Sequence, residues 1–87
     1  MPTVIHEIAA ERKRQIEGEG WTPEHDARHI DGELARAAGC YALGVKLAQW
    51  PWNASWWKPK GRRRNLVRAG ALIVAEIERI DHKYKQS

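Results

Sequence analysis

The sequence predicts an all-α fold, a three-helix hairpin or bundle, and three observations carry that expectation. Apolar residues recur at three-and-four spacing in three separate stretches, the period of a helix that buries one face. Thr3 and the pair Thr22-Pro23 stand where such stretches begin, as an N-cap and an N-cap followed by proline do. Gly18, Gly20, Pro51, Pro59 and Gly61 fall between the stretches, where glycine and proline end helices. With 87 residues the chain makes one domain, residues 1–87.

The first helix is expected over about residues 3–17. Ile5, Ile8, Ala9 and Ile16 mark one face, and Glu7, Glu11, Lys13 and Arg14 the other; Gly18 and Gly20 end it. The second is expected over about residues 23–48, with Asp31-Gly32 as a point of break. Glu24 and Asp26 favour its positive end. Its apolar positions are Ile30, Leu34, Ala37, Ala38, Tyr41, Val45 and Ala48, and Gly32, Gly39 and Gly44 leave room for another backbone.

Residues 49–61 cannot form a regular helix. Pro51 and Pro59 interrupt them, and Trp50, Trp52, Trp56 and Trp57 dominate them. A loop of about 13 residues is long for a compact domain, and such loops often carry function. The third helix is expected over about residues 62–83, with Leu66, Ala69, Ile73, Ile77 and Ile80 at helical spacing. Val67, Ala71, Leu72, Val74 and Ala75 widen its apolar face beyond half its circumference. A face so wide needs neighbours on two sides, which a chain of this size barely supplies. A homo-oligomer is expected, most simply a dimer.

Lys and Arg outnumber Asp and Glu by 15 to 11, for a net charge of +4 and a pI near 9.6. The balance favours an anionic partner. Lys58, Lys60, Arg62, Arg63, Arg64 and Arg68 form one cluster. The single Cys40 has no internal disulfide partner, which fits a reducing cytoplasm. The N-terminus lacks the apolar core of a signal peptide, and no run approaches the about 18 apolar residues of a membrane span. A cytoplasmic location is expected.

Three constellations are candidates for chemistry. His25, His29 and Glu33 stand four apart, so a continuous helix would put them on one face as zinc or other divalent-metal ligands, with Asp26 and Asp31 nearby. The alternative is a polar helix face with capping residues, and a break at Gly32 spoils the register. In the second constellation, Trp50, Trp52, Trp56 and Trp57 offer stacking faces. Lys58, Arg62, Arg63, Arg64 and Arg68 offer charge for phosphates. With no Phe in the chain, some of these Trp must also fill the core. Three consecutive Arg at a helix start conflict with the helix dipole, and such conflicts mark functional sites. The third is Glu7, Glu11, Arg12, Arg14 and Gln15 on the first helix, which a solvated helix face also explains. Ser55 and Ser87 lack any setting for nucleophilic catalysis, and Cys40 lies in a helix interior among Ala, Gly and Tyr.

The stretches Glu11-Arg-Lys-Arg-Gln15, Gly20-Trp-Thr-Pro-Glu-His-Asp26, Gly32-Glu-Leu-Ala35, Arg63-Arg-Asn-Leu-Val-Arg-Ala-Gly-Ala71 and Ala75-Glu-Ile-Glu-Arg-Ile-Asp81 together resemble a group of short phage and prophage proteins with no established activity. More distantly, the chain is similar to the all-α nucleoside triphosphate pyrophosphohydrolases of the MazG-like type. Those enzymes hold magnesium with four carboxylates, from a Glu-x-x-Glu helix and a Glu-x-x-Asp helix. On that likeness Glu33 remains, the second position is Arg36, and the other motif has become Asn65 and Arg68. One carboxylate cannot hold two magnesium ions. Arginine binds phosphate directly and without metal.

The resemblance therefore implies a small, non-catalytic nucleotide-binding protein that needs no cofactor, in a phage setting one that sequesters a nucleotide immune signal of the host. Arg36, Arg62, Arg63, Arg64, Arg68 and Lys58 would meet phosphates, the four loop Trp would stack or cover, and Glu33 would accept from a base or ribose. The first alternative is a metal-dependent nucleotide hydrolase built on His25, His29 and Glu33. The second is a nucleic-acid- or protein-binding module. Nucleic acid is the less favoured partner, because 11 acidic residues are spread through the chain and no helix-turn-helix signal is present.

Overall fold

The fold is seen in a computed structural model, which describes residues 3–19, 32–44 and 50–86. Among them are three α-helices and no strand: α1 (Val4–Glu19), α2 (Glu33–Leu43) and α3 (Arg62–Gln86), with a short 3-10 turn at Ala54–Trp56. The all-α expectation holds.

Thr3 opens α1 as its sequence position predicts. Its hydroxyl accepts from the His6 amide at 3.2 Å, and the His6 ring nitrogen Nδ1 accepts in return from the Thr3 amide at 3.3 Å. This is the reciprocal arrangement of a capping box, with histidine in the place of Glu or Gln. The helix runs through Gly18 to Glu19.

Of the residues 23–48 read from periodicity as the second helix, 32–44 are described and hold α2; the rest of that span lies outside the described residues. Gly32 precedes α2 at φ 79° and Gly44 follows it at φ 76°. Both lie in the left-handed region, where glycine carries no steric penalty. The Gly44 amide closes the end by donating to the carbonyls of Cys40 and Tyr41. These two glycines thus bound α2 at its two ends, and a methyl group at Gly39 would meet nothing within 4 Å. The glycine that does admit a neighbour is Gly70 on α3, where an added Cβ would lie 3.0 Å from Cδ1 of Ile8.

α3 is the central element, packed by α2 and by α1. α2 runs antiparallel to it: Gly44 at the end of α2 lies beside Arg62 at the start of α3, while Glu33 acts on Arg79 near the other end. Leu34, Ala37, Ala38 and Tyr41 of α2 form the core with Ala69, Leu72 and Ala75 of α3, and Trp50, Trp52 and Trp57 pack against it. The alanines bring the helices close, and the Trp rings supply the bulk that a core without Phe lacks. Cys40 is fully buried.

Two helix faces depart from the sequence expectation. On α1, Ile5 is 72% exposed while Glu11, Arg12 and Gln15 are buried, so the helix docks largely through polar side chains, with Ile8 of the isoleucine stripe reaching Gly70. On α3, Val67, Ala69, Ala71, Leu72 and Ala75 are buried, whereas Leu66, Ile73, Ile77 and Ile80 face outward. Small residues win the packed side of α3 because they allow close helix approach; the bulky stripe is left over.

Candidate functional site

The end of the α2–α3 hairpin gathers the aromatic and basic residues. Trp50, Trp52 and Trp57 are half-buried and meet one another and Tyr41. Tyr41 stands edge-on to Trp50 at 5.8 Å and tilted against Trp57 at 4.8 Å. Trp50 stands edge-on to Trp52 at 5.4 Å and to Trp57 at 5.2 Å. Such edge-to-face geometry is the preferred one for aromatic pairs.

The segment is held by polar contacts of its own. Trp50 Nε1 donates to the Asn53 carbonyl at 3.1 Å, and Asn53 Oδ1 caps the 3-10 turn by accepting from the Ser55 amide at 2.9 Å. The Lys58 amide donates to the Tyr41 hydroxyl at 3.3 Å. Asn65, itself buried, closes the return into α3: its Oδ1 accepts from the Lys60 amide at 2.7 Å and its Nδ2 donates to the Lys60 carbonyl at 3.0 Å.

The arginines divide into two groups. Arg68 extends over the Tyr41 ring at 5.8 Å and donates to the Lys58 carbonyl, while its Nε is buried with no hydrogen-bond partner. Arg62 is exposed and donates to the Ala42 carbonyl at the end of α2, a favourable place for a cation beside helix carbonyls. Lys58 and Lys60 are exposed beside them.

Arg63 and Arg64 turn the other way, toward α1. Arg63 forms a bidentate pair with Glu7 at 2.6 and 2.8 Å. Arg64 bonds to the carboxylate of Glu11. Glu11 also accepts both arms of Arg14 at 2.8 Å and the Gln15 amide at 3.2 Å. Burial pushes the Glu11 carboxyl up, but the Arg14 bonds, the charges of Arg14 and Arg64 and the Gln15 bond outweigh it and hold the group below its ordinary 4.5. The hydrogen bond from Arg63 lowers Glu7 from the same ordinary value. The conflict of three Arg at a helix start is thus met from within, by carboxylates of α1 for Arg63 and Arg64 and by a carbonyl at the end of α2 for Arg62.

The polar set on α1 is therefore a packing interface, not the solvated face that its composition suggested. Sequence reasoning weighed Glu7 and Glu11 apart from Arg63 and Arg64; only the fold joins them. Tyr41 is an addition to the edge, and Lys60, read only as part of the basic cluster, joins it there. Their signal in the sequence was the basic cluster for Lys60 and the apolar stripe of α2 for Tyr41.

Arg36 is exposed on α2, and Glu33 opens that helix. His25 and His29 lie outside the described residues. Gly32, immediately before Glu33, lies in the left-handed region, and α2 begins at Glu33. Among the described residues no group of three His, Cys, Asp or Glu is placed to hold a metal ion. Nor is any described helix long and apolar enough to cross a membrane.

No family model, no curated protein and no solved structure matches the chain. The geometry of the edge is what bears on function.

Proposed function

We propose that this chain binds a nucleotide, or another phosphate-bearing small molecule, at the hairpin end and holds it without cutting it. The observation that carries the reading is the meeting of half-buried Trp50, Trp52 and Trp57 with Arg68 over Tyr41, bordered by exposed Lys58, Lys60 and Arg62. Flat aromatic faces suit a base, and cations on the same rim suit phosphate. Arg36 and Trp56 belong to the same proposal, as does Glu33 as an acceptor for base or ribose.

Retention without hydrolysis rests on the residues at the former carboxylate positions of the MazG-like pattern. Asn65 is committed to the Lys60 backbone, and Arg68 is a cation beside an aromatic ring. Neither suits a magnesium shell of oxygens. The likeness to short phage proteins supplies a setting, the withdrawal of a nucleotide signal used in host defence.

The test is a thermal-shift screen of the purified protein against mono-, di- and cyclic nucleotides, with and without EDTA, followed by denaturation and recovery of the ligand. Intact ligand and a shift that survives EDTA are expected. Recovery of hydrolysed product, lost with EDTA or in His29→Ala, would transfer the function to a metal-dependent hydrolase. Binding to oligonucleotides alone, weakening steeply with salt, would make the edge a nucleic-acid surface. No shift with any nucleotide would reject the reading.

A further inference from the structure

Lys58, Pro59 and Lys60 form a strap between the tryptophan-rich segment and α3, and side chains of α2 and α3 hold it by its backbone. The Lys58 amide donates to the Tyr41 hydroxyl at 3.3 Å, and the Lys58 carbonyl accepts from Arg68. The Lys60 amide donates to Asn65 Oδ1 at 2.7 Å, and the Lys60 carbonyl accepts from Asn65 Nδ2 at 3.0 Å. Both polar backbone groups of each lysine are therefore taken. Pro59 between them has no N–H, fixes its own φ and keeps Lys58 out of the helical region. Tyr41 and Asn65 are each 4% exposed, whereas both lysines are exposed. A buried amide is costly unless it is bonded. What Asn65 adds over an apolar side chain is the placing of Lys60.

Charge says what that placing serves. The chain has no Asp or Glu between Glu33 and Glu76. The α1 carboxylates that reach this end, Glu7 and Glu11, are taken by Arg63, Arg64 and Arg14. Two lysines held two residues apart in so basic a segment repel each other, and such a local conflict marks a site that an anion relieves. Resting on the nucleotide reading above, we infer that Tyr41 and Asn65 are positioning residues of the phosphate contact. They touch no ligand. By gripping the backbone of the strap they fix where the ammonium groups of Lys58 and Lys60 meet the phosphates, so that less freedom is lost on binding. Arg68 shares the grip through the Lys58 carbonyl and keeps its own charge at the same edge.

Titration calorimetry of the full chain with ADP and with inorganic pyrophosphate, without metal and at low salt, tests this. Tyr41→Phe keeps the ring against Trp50 and Trp57 and removes only the hydroxyl. It is expected to weaken binding at least about threefold, the order set by one loosened side chain, with helical circular dichroism unchanged. In a Lys58→Ala background the same substitution is expected to add little, because the hydroxyl acts through the lysine it places. Asn65→Leu, which keeps the branched shape, is expected to behave in the same way against Lys60→Ala. If Asn65→Leu fails to fold, Tyr41→Phe carries the test by itself. Native affinity in either folded variant overturns the inference and leaves the nucleotide reading standing. So does a loss in Tyr41→Phe that is as large in Lys58→Ala as in the native chain, which would put the hydroxyl on the ligand itself. A native chain that binds neither ADP nor pyrophosphate also overturns the inference; the nucleotide reading falls with it only if the thermal-shift screen shows no shift either.

Discussion

Arg64, in the first turn of α3, donates to the carboxylate of Glu11, whose side chain is fully shielded from solvent within α1. The two residues are far apart in sequence, and their meeting fixes how α1 lies on α3. A buried carboxylate is tolerable only while its partners remain, and losing one side of such a pair commonly costs about 3–5 kcal/mol. Arg14 and Arg64 are each two-fifths exposed, so water takes up part of their loss. Glu11→Ala is therefore expected to destabilise the protein by about 3 kcal/mol, the low end of that range. Arg64→Ala is expected to cost about 1 kcal/mol, as an ordinary charge-assisted bond, because Arg14 still satisfies the carboxylate. Urea unfolding of the two variants measures both; equal losses would show that Arg14 does not hold Glu11 by itself.

Acid should loosen the same seam. Glu7 and Glu11 both ionise below their ordinary 4.5 in the folded chain. Between the folded and unfolded values the unfolded chain binds more protons, so stability rises with pH there. The contribution of these groups is fully present above the ordinary value and is lost as pH falls through the folded values. Urea midpoints measured from about pH 7 to about pH 3 should stay level at first and then fall below about pH 5. Arg63→Gln, which removes the hydrogen bond that lowers Glu7, is expected to make the fall shallower. An unchanged slope in that variant would exclude Glu7 from the transition.

Helix content was legible from the spacing of apolar residues, and so was the cap at Thr3. The faces were not. Periodicity reads Ile5, Ile8 and Ile16 as the packed side of α1, yet Glu11, Arg12 and Gln15 are the buried ones. Their burial depends on Arg64 and on Glu78, which bonds Arg12 at 2.9 Å, and no local pattern reveals partners so distant in sequence. On α3, alanines took the core and isoleucines were left outside, because close helix approach rewards small side chains. The Trp-rich edge was legible as composition. Its division into Arg62 and Arg68 on one side and Arg63 and Arg64 on the other is set by their partners, the Ala42 and Lys58 carbonyls against Glu7 and Glu11; Arg64 and Arg68 stand four apart, so helical spacing alone does not part them.

Asn65 stands where the MazG-like pattern keeps a carboxylate, yet restoring the acid should not restore a metal site. Its Nδ2 donates to the Lys60 carbonyl at 3.0 Å, and Asp would set a second acceptor against that oxygen. An unmet buried acceptor costs about 1–3 kcal/mol. Asn65→Asp is expected to lose stability within that range and to gain none from added magnesium. A magnesium-dependent rise in its melting temperature would show that a cation does bind there.

Gly70 sets the approach of α1. An added Cβ would stand 3.0 and 3.3 Å from Cδ1 and Cγ1 of Ile8. Ala gains helix propensity of up to about 1 kcal/mol over Gly, and the far end of Ile8 is able to turn aside, so Gly70→Ala should be nearly neutral. Gly70→Leu leaves no such escape and should cost about 1–3 kcal/mol through overpacking. Ile8→Ala combined with Gly70→Leu should recover part of that loss. Additive losses in the double variant would mean that the two side chains do not share one space.

The hairpin end contains residues that hold the fold and residues available to a ligand, and mutation should separate them. Trp57 packs on Tyr41 at 4.8 Å and against the core. Full burial of such a ring is lost on truncation at about 3–5 kcal/mol, and Trp57 is only half-buried, so Trp57→Ala should fall below that range while remaining measurable. Lys58 and Lys60 are exposed, and backbone atoms of both hydrogen-bond within the edge. Those backbone bonds do not require the side chains. Lys58→Ala with Lys60→Ala should leave stability within about 0.5 kcal/mol, as surface substitutions do. The same pair should diminish the thermal shift produced by a nucleotide, and high salt should do likewise in the native chain. A shift that persists undiminished in the double variant would remove both lysines from the proposed phosphate contact and leave Arg62 and Arg68 to supply it.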